Sequence, residues 1–451
     1  KFYSQLDRVT FEDSASIRSA GYWDEVRRDT LNKQEKSIVT MIDTLEKQAK
    51  FRLLKNSVKS ITSGWIPFKK IEIGDFYSFY SFNEVEQSRV KLGLRATHLF
   101  NDRFSFKSYL AYGIYDERFK YLTEAQVVLS RNRSKEIRLG GKLKKDAVQP
   151  GRSANLFPLD HILNVFSNLG NFEHRSLVED KLIFIERQWM TGFTSRVGLF
   201  QSNWRPFGNE TYRIQEPQEF KRSIASYNYS GIQISLRYSL GDRKLSANYG
   251  ESFKGSAIPE FPVISLHYEK AMKAFLKGDF DADKIKLRIE EKLRIAKYGY
   301  SLIRAEAGKT WGTLPYTFLE TPNANPLLFA DETSFNLMNY LEFVSDAYAS
   351  IMFEHHFEGL MLNRIPGIKK LKWRELIVAK MYAGSLSEKN KNSIYVRPQS
   401  ISYLTKPYLE FGFGIENIFK FSRVDFLWRL DYNEHSGSFH FLAKPLFQFK
   451  F

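Results

Sequence analysis

From about Trp65 to the C-terminus, apolar and polar residues alternate with a period of two. Residues 88–100 put Val90, Leu92, Leu94, Ala96 and Phe100 on one row and Arg89, Lys91, Gly93, Arg95 and Thr97 on the other. Residues 284–297 oppose Ile285, Leu287, Ile289, Leu293 and Ile295 to Lys284, Lys286, Arg288, Glu290, Lys292 and Arg294, and 231–240 and 421–432 repeat the scheme. Successive side chains of a strand point to opposite faces, so each segment predicts a two-faced strand. The segments illustrated run 10 to 14 residues, close to the ~9–11 of a tilted membrane strand. Their apolar rows are rich in Phe, Tyr and Trp, as in a lipid-facing band with aromatic girdles.

Strands are predicted over 69–81, 88–100, 104–115, 119–130, 135–146, 180–190, 194–206, 217–226, 231–240, 243–256, 261–272, 284–297, 300–312, 347–359, 372–386, 407–417, 421–432 and 438–451. The long gaps 147–179, 207–216, 273–283, 313–346 and 387–406 all follow odd-numbered strands, so they share one end of a meander. The other end carries mostly tight turns, with 360–371 as an exception. Outer-membrane barrels show this asymmetry. Segments 217–226 and 261–272 are the weakest, so the expected fold is all-β, a transmembrane antiparallel β-barrel of 16 strands within a range of 14 to 18.

Upstream the period is 3.6. Asn32 and Glu35 form a capping-box pattern ahead of a helix over 33–52, whose apolar face is Ile38, Met41, Ile42 and Leu45. A helix packed on neighbouring structure is one reading; a helix lying flat on a membrane would favour a more basic polar face. The expected organisation is a periplasmic helical lead-in over 1–63 and a barrel over 64–451. The chain begins at Lys1 and reads as a mature or excised segment.

Composition narrows the chemistry. There is no cysteine among 451 residues, hence no disulfide and no thiolate metal site or nucleophile. The net charge of +16 suits nucleic acid in principle, but no zinc-finger spacing or RNP-like aromatic motif accompanies it. In a barrel such charge goes to lumen, loops and rims, facing anionic lipid or making an anion-attracting lumen. Lys369, Lys370, Lys372 and Arg374 cluster at a strand entrance and read as a solvated or headgroup-contacting turn. No apolar run approaches the ~18–20 residues of a transmembrane helix.

Eight histidines occur without metal spacing, and no P-loop, Gly-x-Gly-x-x-Gly or Gly-x-Ser-x-Gly appears. His355 and His356 are adjacent and would point to opposite faces. His98, with Ser105 or Ser108, is the only approach to a rim hydrolase, and nothing selects those serines. No catalytic residue, cofactor or metal is expected. Arg423, Asp425, Arg429 and Asp431 share one strand face as candidate lumen charges, forming either an ion-pair ladder or a selectivity ring. Gly412 and Gly414 suit close packing or bending of the wall. Phe447, Phe449 and the terminal Phe451 form an alternating aromatic row that resembles the signal read by the barrel-assembly machinery.

Several segments carry a family resemblance. Ala20 to Arg27, Asn83-Glu84-Val85-Glu86, Ala111 to Tyr121, His355 to Gly359 and Asn363 to Glu375 resemble an outer-membrane family of Bacteroidota whose members pair a carboxypeptidase-regulatory-like domain with a C-terminal barrel. The resemblance covers about residues 20 to 451 and implies the barrel part. The last third also resembles the Omp-eighty-five superfamily of barrel assembly and translocation proteins. Loop 313–346 lies five strands before the end, where that superfamily places its lumen-entering loop, although its Val-Arg-Gly-aromatic motif is absent. The expectation is a non-enzymatic barrel of the bacterial outer membrane, its N-terminus periplasmic, acting in envelope biogenesis or surface-protein export. The alternative is a loop-gated pore or uptake channel for small solutes. Expected partners are outer-membrane lipid and lipopolysaccharide, the barrel-assembly machinery and other envelope proteins, with no nucleic acid.

Overall fold

A computed structural model describes residues 32–97, 100–101, 103–130, 135–151, 174–215, 221–239 and 262–447. The chain divides into two compact units, Lys1–Ile66 and Pro67–Phe451. In the first, helix α1 (Lys33–Lys47) starts as its sequence predicts. The Asn32 side chain accepts from the Glu35 amide at 2.8 Å, and the Glu35 carboxylate accepts from the Asn32 amide at 2.9 Å. The helix stops earlier than the expected residue 52. Gln48 is extended (φ −72°, ψ 127°), and a second helix, α2 (Ala49–Ser63), follows, closed by Gly64 at φ 76°. Gln48 is a good helix former, so nothing in its residue type announces the break.

The second unit is almost all strand. The short strands β1 (Trp65–Phe68), β2 (Ile71–Gly74) and β3 (Tyr80–Asn83) precede β4 (Gln87–Ala96), β5 (Phe104–Gly113), β6 (Arg118–Ser130), β7 (Ile137–Val148), β8 (Arg175–Met190) and β9 (Phe193–Phe207). A small pair, β10 (Tyr212–Gln215) and β11 (Lys221–Ile224), stands apart from the main sheet. The series resumes with β12 (Tyr227–Ser239), β13 (Val263–Ala271), β14 (Ala282–Arg294), β15 (Tyr300–Trp311), β16 (Ala347–His356), β17 (Arg374–Ser385), β18 (Tyr408–Ile418), β19 (Ser422–Arg429) and β20 (Phe441–Phe447).

β2 and β3 pair with the two halves of β4, Ile71 opposite Ala96 and Asn83 opposite Gln87, and therefore act as one strand interrupted at 75–79. Counted that way, the 18-stranded antiparallel sheet holds 17 strands including the four-residue β1, within the expected range of 14 to 18. Two expected strands drop out. β9 pairs directly with β12, so 217–226 is not in the wall; its residues 221–224 belong to the β10–β11 hairpin instead. β12 pairs directly with β13, so no strand from 243–256 stands between them, and that segment lies outside the described residues. Pro217 and the polar residues around it leave 217–226 no continuous row for lipid.

Burial settles which face looks where. Val90, Leu92 and Leu94 are exposed, as are Phe411 and Phe413, while Arg89, Glu410, Glu416 and Arg423 are buried. Leu92 is 53% exposed and Arg423 0%. A protein folded for water would do the reverse; a wall facing hydrocarbon puts apolar rows outward and charge inward. Among the described residues no helix is long and apolar enough to cross a membrane, and the strands do so. Gly412 and Gly414 face inward on β18. A Cβ on Gly412 would lie 2.4 Å from the Phe426 carbonyl oxygen and one on Gly414 2.3 Å from Asp425 Oδ1, so close packing accounts for both.

The two ends of the wall differ. One carries short turns such as 191–192, 295–299 and 419–421; the other carries 149–174, 208–226, 312–346 and 386–407. The exceptions are 240–262 and 357–373 at the short-turn end. Connections between wall strands at that end carry 13 Lys and Arg against 6 Asp and Glu; those at the long-loop end carry 10 against 19. The long loops at their mouth are laced together, with Gln215 N–H donating to the Ile394 carbonyl at 2.7 Å and Val396 N–H to the Arg213 carbonyl at 2.9 Å.

Candidate functional site

The 35-residue segment 312–346 has five acidic residues, many apolar ones and no Lys or Arg. It does not lie on the surface. Leu314, Phe318, Leu327, Phe335, Leu337, Met338, Phe343 and Val344 are all buried. They pack with inward residues of the wall, Phe335 and Phe343 against Tyr382 and Tyr408 of β17 and β18, and Leu337 against Leu376, Val378 and Leu427. The segment fills the lumen and supplies much of the molecule's core.

Charge fixes it there, because the wall brings cations and the segment brings anions and carbonyls. Lys284 of β14 donates to the Phe318 carbonyl at 2.7 Å, and Lys286 pairs with Glu320 at 2.6 Å. Arg304 of β15 donates to the Glu332 carbonyl at 3.0 Å. Lys380 of β17 donates to the carbonyls of Ser334 at 2.6 Å and Asp331 at 3.2 Å. Lys444 of β20 donates to the Asn325 carbonyl at 2.8 Å. Glu410 of β18 reverses the polarity, accepting from the amides of Asn336 and Leu337 at 2.9 and 2.8 Å. With Arg423 and Arg429 of β19, six of the strands β14 to β20 hold the segment directly.

The candidate charges divide. Arg423 forks onto Asp425 at 2.6 and 2.8 Å and also reaches Glu354 of β16 at 2.9 Å and Glu332 of the segment at 3.3 Å. Arg429 clamps Glu342, donating also to the carbonyls of Leu337 and Tyr432. Asp431 lies past the end of β19 and pairs with Lys406 at 2.7 Å. Glu342 further accepts from the Asn339 amide at 3.0 Å and meets His435 Nδ1 at 2.8 Å. Burial pushes this carboxyl up, but the bonds from His435 and Arg429 outweigh it and leave the group below its usual range. Glu210, at the long-loop mouth, behaves alike: burial opposes ionisation, and His174 at 2.6 Å with the Tyr316 hydroxyl at 2.7 Å prevails.

A second buried network lies across the early strands. Arg89 pairs with Asp146 at 2.7 and 3.0 Å, Tyr109 also donates to Asp146, and Lys120 joins Asp116 at 2.6 Å and Glu86. It ties wall to wall and to its turns. Glu332, Glu342, Glu354, Lys380 and Lys444 were not singled out from sequence. The usable signal was the composition of 312–346, acidic and apolar in a strongly basic chain.

The hydrolase constellation is not assembled among the described residues. His98 lies outside them, and Ser108 points outward, donating to the Leu122 carbonyl at 2.9 Å. His355 and His356 take different partners, Ser301 at 2.9 Å and Glu416 at 3.2 Å. No group of three potential metal ligands occurs among the described residues. Phe447 is exposed at the end of β20, its ring 5.6 Å from Phe329; Phe449 and Phe451 lie outside the described residues.

Residues 182–393 match the model of the C-terminal domain of a family of unknown function, DUF5686. The matched stretch contains all of 312–346. No curated protein matches the chain. Among solved structures, BamA from Haemophilus ducreyi lacking POTRA domains 1–3 superimposes with a TM-score of 0.51 at 7% identity, over 84% of this chain and 71% of that one. CdiB from Acinetobacter baumannii gives 0.42 at 8% identity, covering 81% of this chain and 57% of that one. The siderophore receptor PirA from Pseudomonas aeruginosa gives 0.32 at 10%, over 78% and 64%. The likeness to BamA is one of fold: a β-barrel of the outer-membrane type.

Proposed function

We propose that the chain is a non-enzymatic barrel of the bacterial outer membrane, closed at rest by segment 312–346, that acts in envelope biogenesis or surface-protein export with its N-terminal helices in the periplasm. One observation carries this reading: the lumen is occupied by a covalently tethered segment held by six strands. A solute pore works with an open lumen, whereas a barrel that handles polypeptide must stay sealed until engaged. The first wall strand supports the reading as well. Its break at 75–79 shortens the uninterrupted ladder at that edge, and a weakly paired edge is where an incoming strand adds. The Bacteroidota resemblance fits the barrel part of a larger outer-membrane protein. Expected partners remain outer-membrane lipid and lipopolysaccharide, the barrel-assembly machinery and envelope proteins.

The second reading, a loop-gated uptake channel, uses the same segment as a gate. Planar-bilayer recordings of the full chain separate the two. Closed behaviour with rare openings, and co-purification of envelope assembly factors from native membranes, supports the first. A large steady conductance from the unmodified chain overturns the sealed resting state and favours the channel.

A further inference from the structure

The two N-terminal helices differ in charge. α1 balances three Lys with three acidic residues, whereas α2 carries Lys50, Arg52, Lys55 and Lys59 and no acidic residue at all. With 3.6 residues per turn, Phe51, Leu54, Val58 and Ile61 fall on one side of α2. Lys50 lies at one border of that row, and Arg52 and Lys55 lie beyond the other. Leu54, Val58 and Ile61 are 62%, 53% and 61% exposed. An apolar row bordered by basic residues is the pattern of a helix lying in a membrane interface, the aliphatic stems of Lys and Arg reaching along the row while their heads meet phosphate.

We propose that α2 lies flat on the phospholipid leaflet at the short-turn end of the barrel, with Phe51, Leu54, Val58 and Ile61 among the acyl chains and its basic borders on anionic headgroups. This rests on the membrane-embedded barrel and not on what the lumen transports. The chain enters the wall at Ile71, which pairs with Ala96 at the short-turn end. Seven residues lie between Ser63 and Ile71, and the eight steps span at most roughly 29 Å when fully extended, so α2 is tethered near that leaflet. The same end is the basic one, with 13 Lys and Arg against 6 acidic residues in its connections. Its largest described connection repeats the chemistry, exposing Lys369, Lys370 and Lys372 beside Met361, Ile365 and Leu371. Acidic protein partners would be met by such charge too, but they would leave a tethered apolar row beside a bilayer without a role.

The chain has no cysteine, so single cysteines report unambiguously. Nitroxide labels at Leu54→Cys, Asn56→Cys and Phe413→Cys are placed one at a time in the full chain. Each is reconstituted in vesicles of phosphatidylcholine with or without 30% phosphatidylglycerol. Relaxation by oxygen, which concentrates among acyl chains, is compared with relaxation by a water-soluble nickel chelate. The expected result is an immersed label at Leu54, an aqueous one at Asn56, and loss of the Leu54 signal in neutral vesicles. The triple variant Lys50→Gln, Arg52→Gln, Lys55→Gln in anionic vesicles should lower the ratio of immersed to aqueous helix about a hundredfold, at about fivefold per basic residue. An aqueous Leu54 label in anionic vesicles overturns the proposal. So does a Leu54 label shielded from both reagents, which marks a protein partner. Phe413 separates the failures: if its label is immersed and the Leu54 label is not, only this proposal falls; if neither is immersed, the barrel falls with it.

Discussion

Glu342→Gln is the sharpest perturbation of the sealed lumen. The carboxylate receives both ends of the Arg429 guanidinium, faces His435 at 2.8 Å and accepts the Asn339 amide at 3.0 Å, all in buried surroundings. The substitution preserves volume and one acceptor but removes the charge, leaving Arg429 buried against a neutral amide. Breaking a buried pair from one side costs about 3–5 kcal/mol. Because Gln keeps part of the hydrogen bonding, about 3 kcal/mol is the fair figure, and it falls on the docked state alone. At ~1.4 kcal/mol per decade, the ratio of docked to released segment drops about a hundredfold. Single-channel recording reads this directly as a similar rise in open probability. The double variant Glu342→Gln, Arg429→Gln removes both charges and should recover part of the loss, a coupling that independent sites would not show. An open probability within twofold of the parent, from protein that still shifts normally on heating in gels, refutes the clamp.

Acid should open the barrel through the same group. The docked Glu342 carboxyl sits below its ordinary value of 4.5, so its contribution is present above that pH and is lost as pH falls through the docked value; openings should rise as pH falls below about 4.5, and lose this acid step in Glu342→Gln. Leu92→Arg places a charge on the outward row and should destabilise the barrel in phospholipid vesicles by about 2–4 kcal/mol by urea titration, whereas a cost under about 0.5 kcal/mol would mean that this row does not face lipid. Gly414→Ala forces a methyl against Asp425 Oδ1, 2.3 Å from the ideal Cβ, and should cost about 1–3 kcal/mol while raising open probability through the Arg423 fork; unchanged stability and gating would show that the wall gives way without strain.

Alternation made most of the wall legible, because a strand between hydrocarbon and a polar lumen must sort its residues every second position. Leu92 against Lys91 and Phe413 against Gly412 needed no tertiary information. The failures share a cause, which is that local pattern does not report pairing. Segment 243–256 reads as a strand by its alternation, yet β12 and β13 meet without it. The break at Gln48 has no residue signature, and a basic second helix stayed hidden within a lead-in judged by its first half. Arg423 and Arg429 were visible as inward charges, but their partners Glu332 and Glu342 lie 91 and 87 residues away. Only the folded lumen brings them together.

The segment in the lumen is also the wall's internal brace. Six strands share it through hydrogen bonds and ion pairs, so its departure removes crosslinks from the very half of the ring that it vacates. Unsealing and softening are then a single event: an unblocked barrel is a pliable one, able to yield sideways at the moment its axis clears.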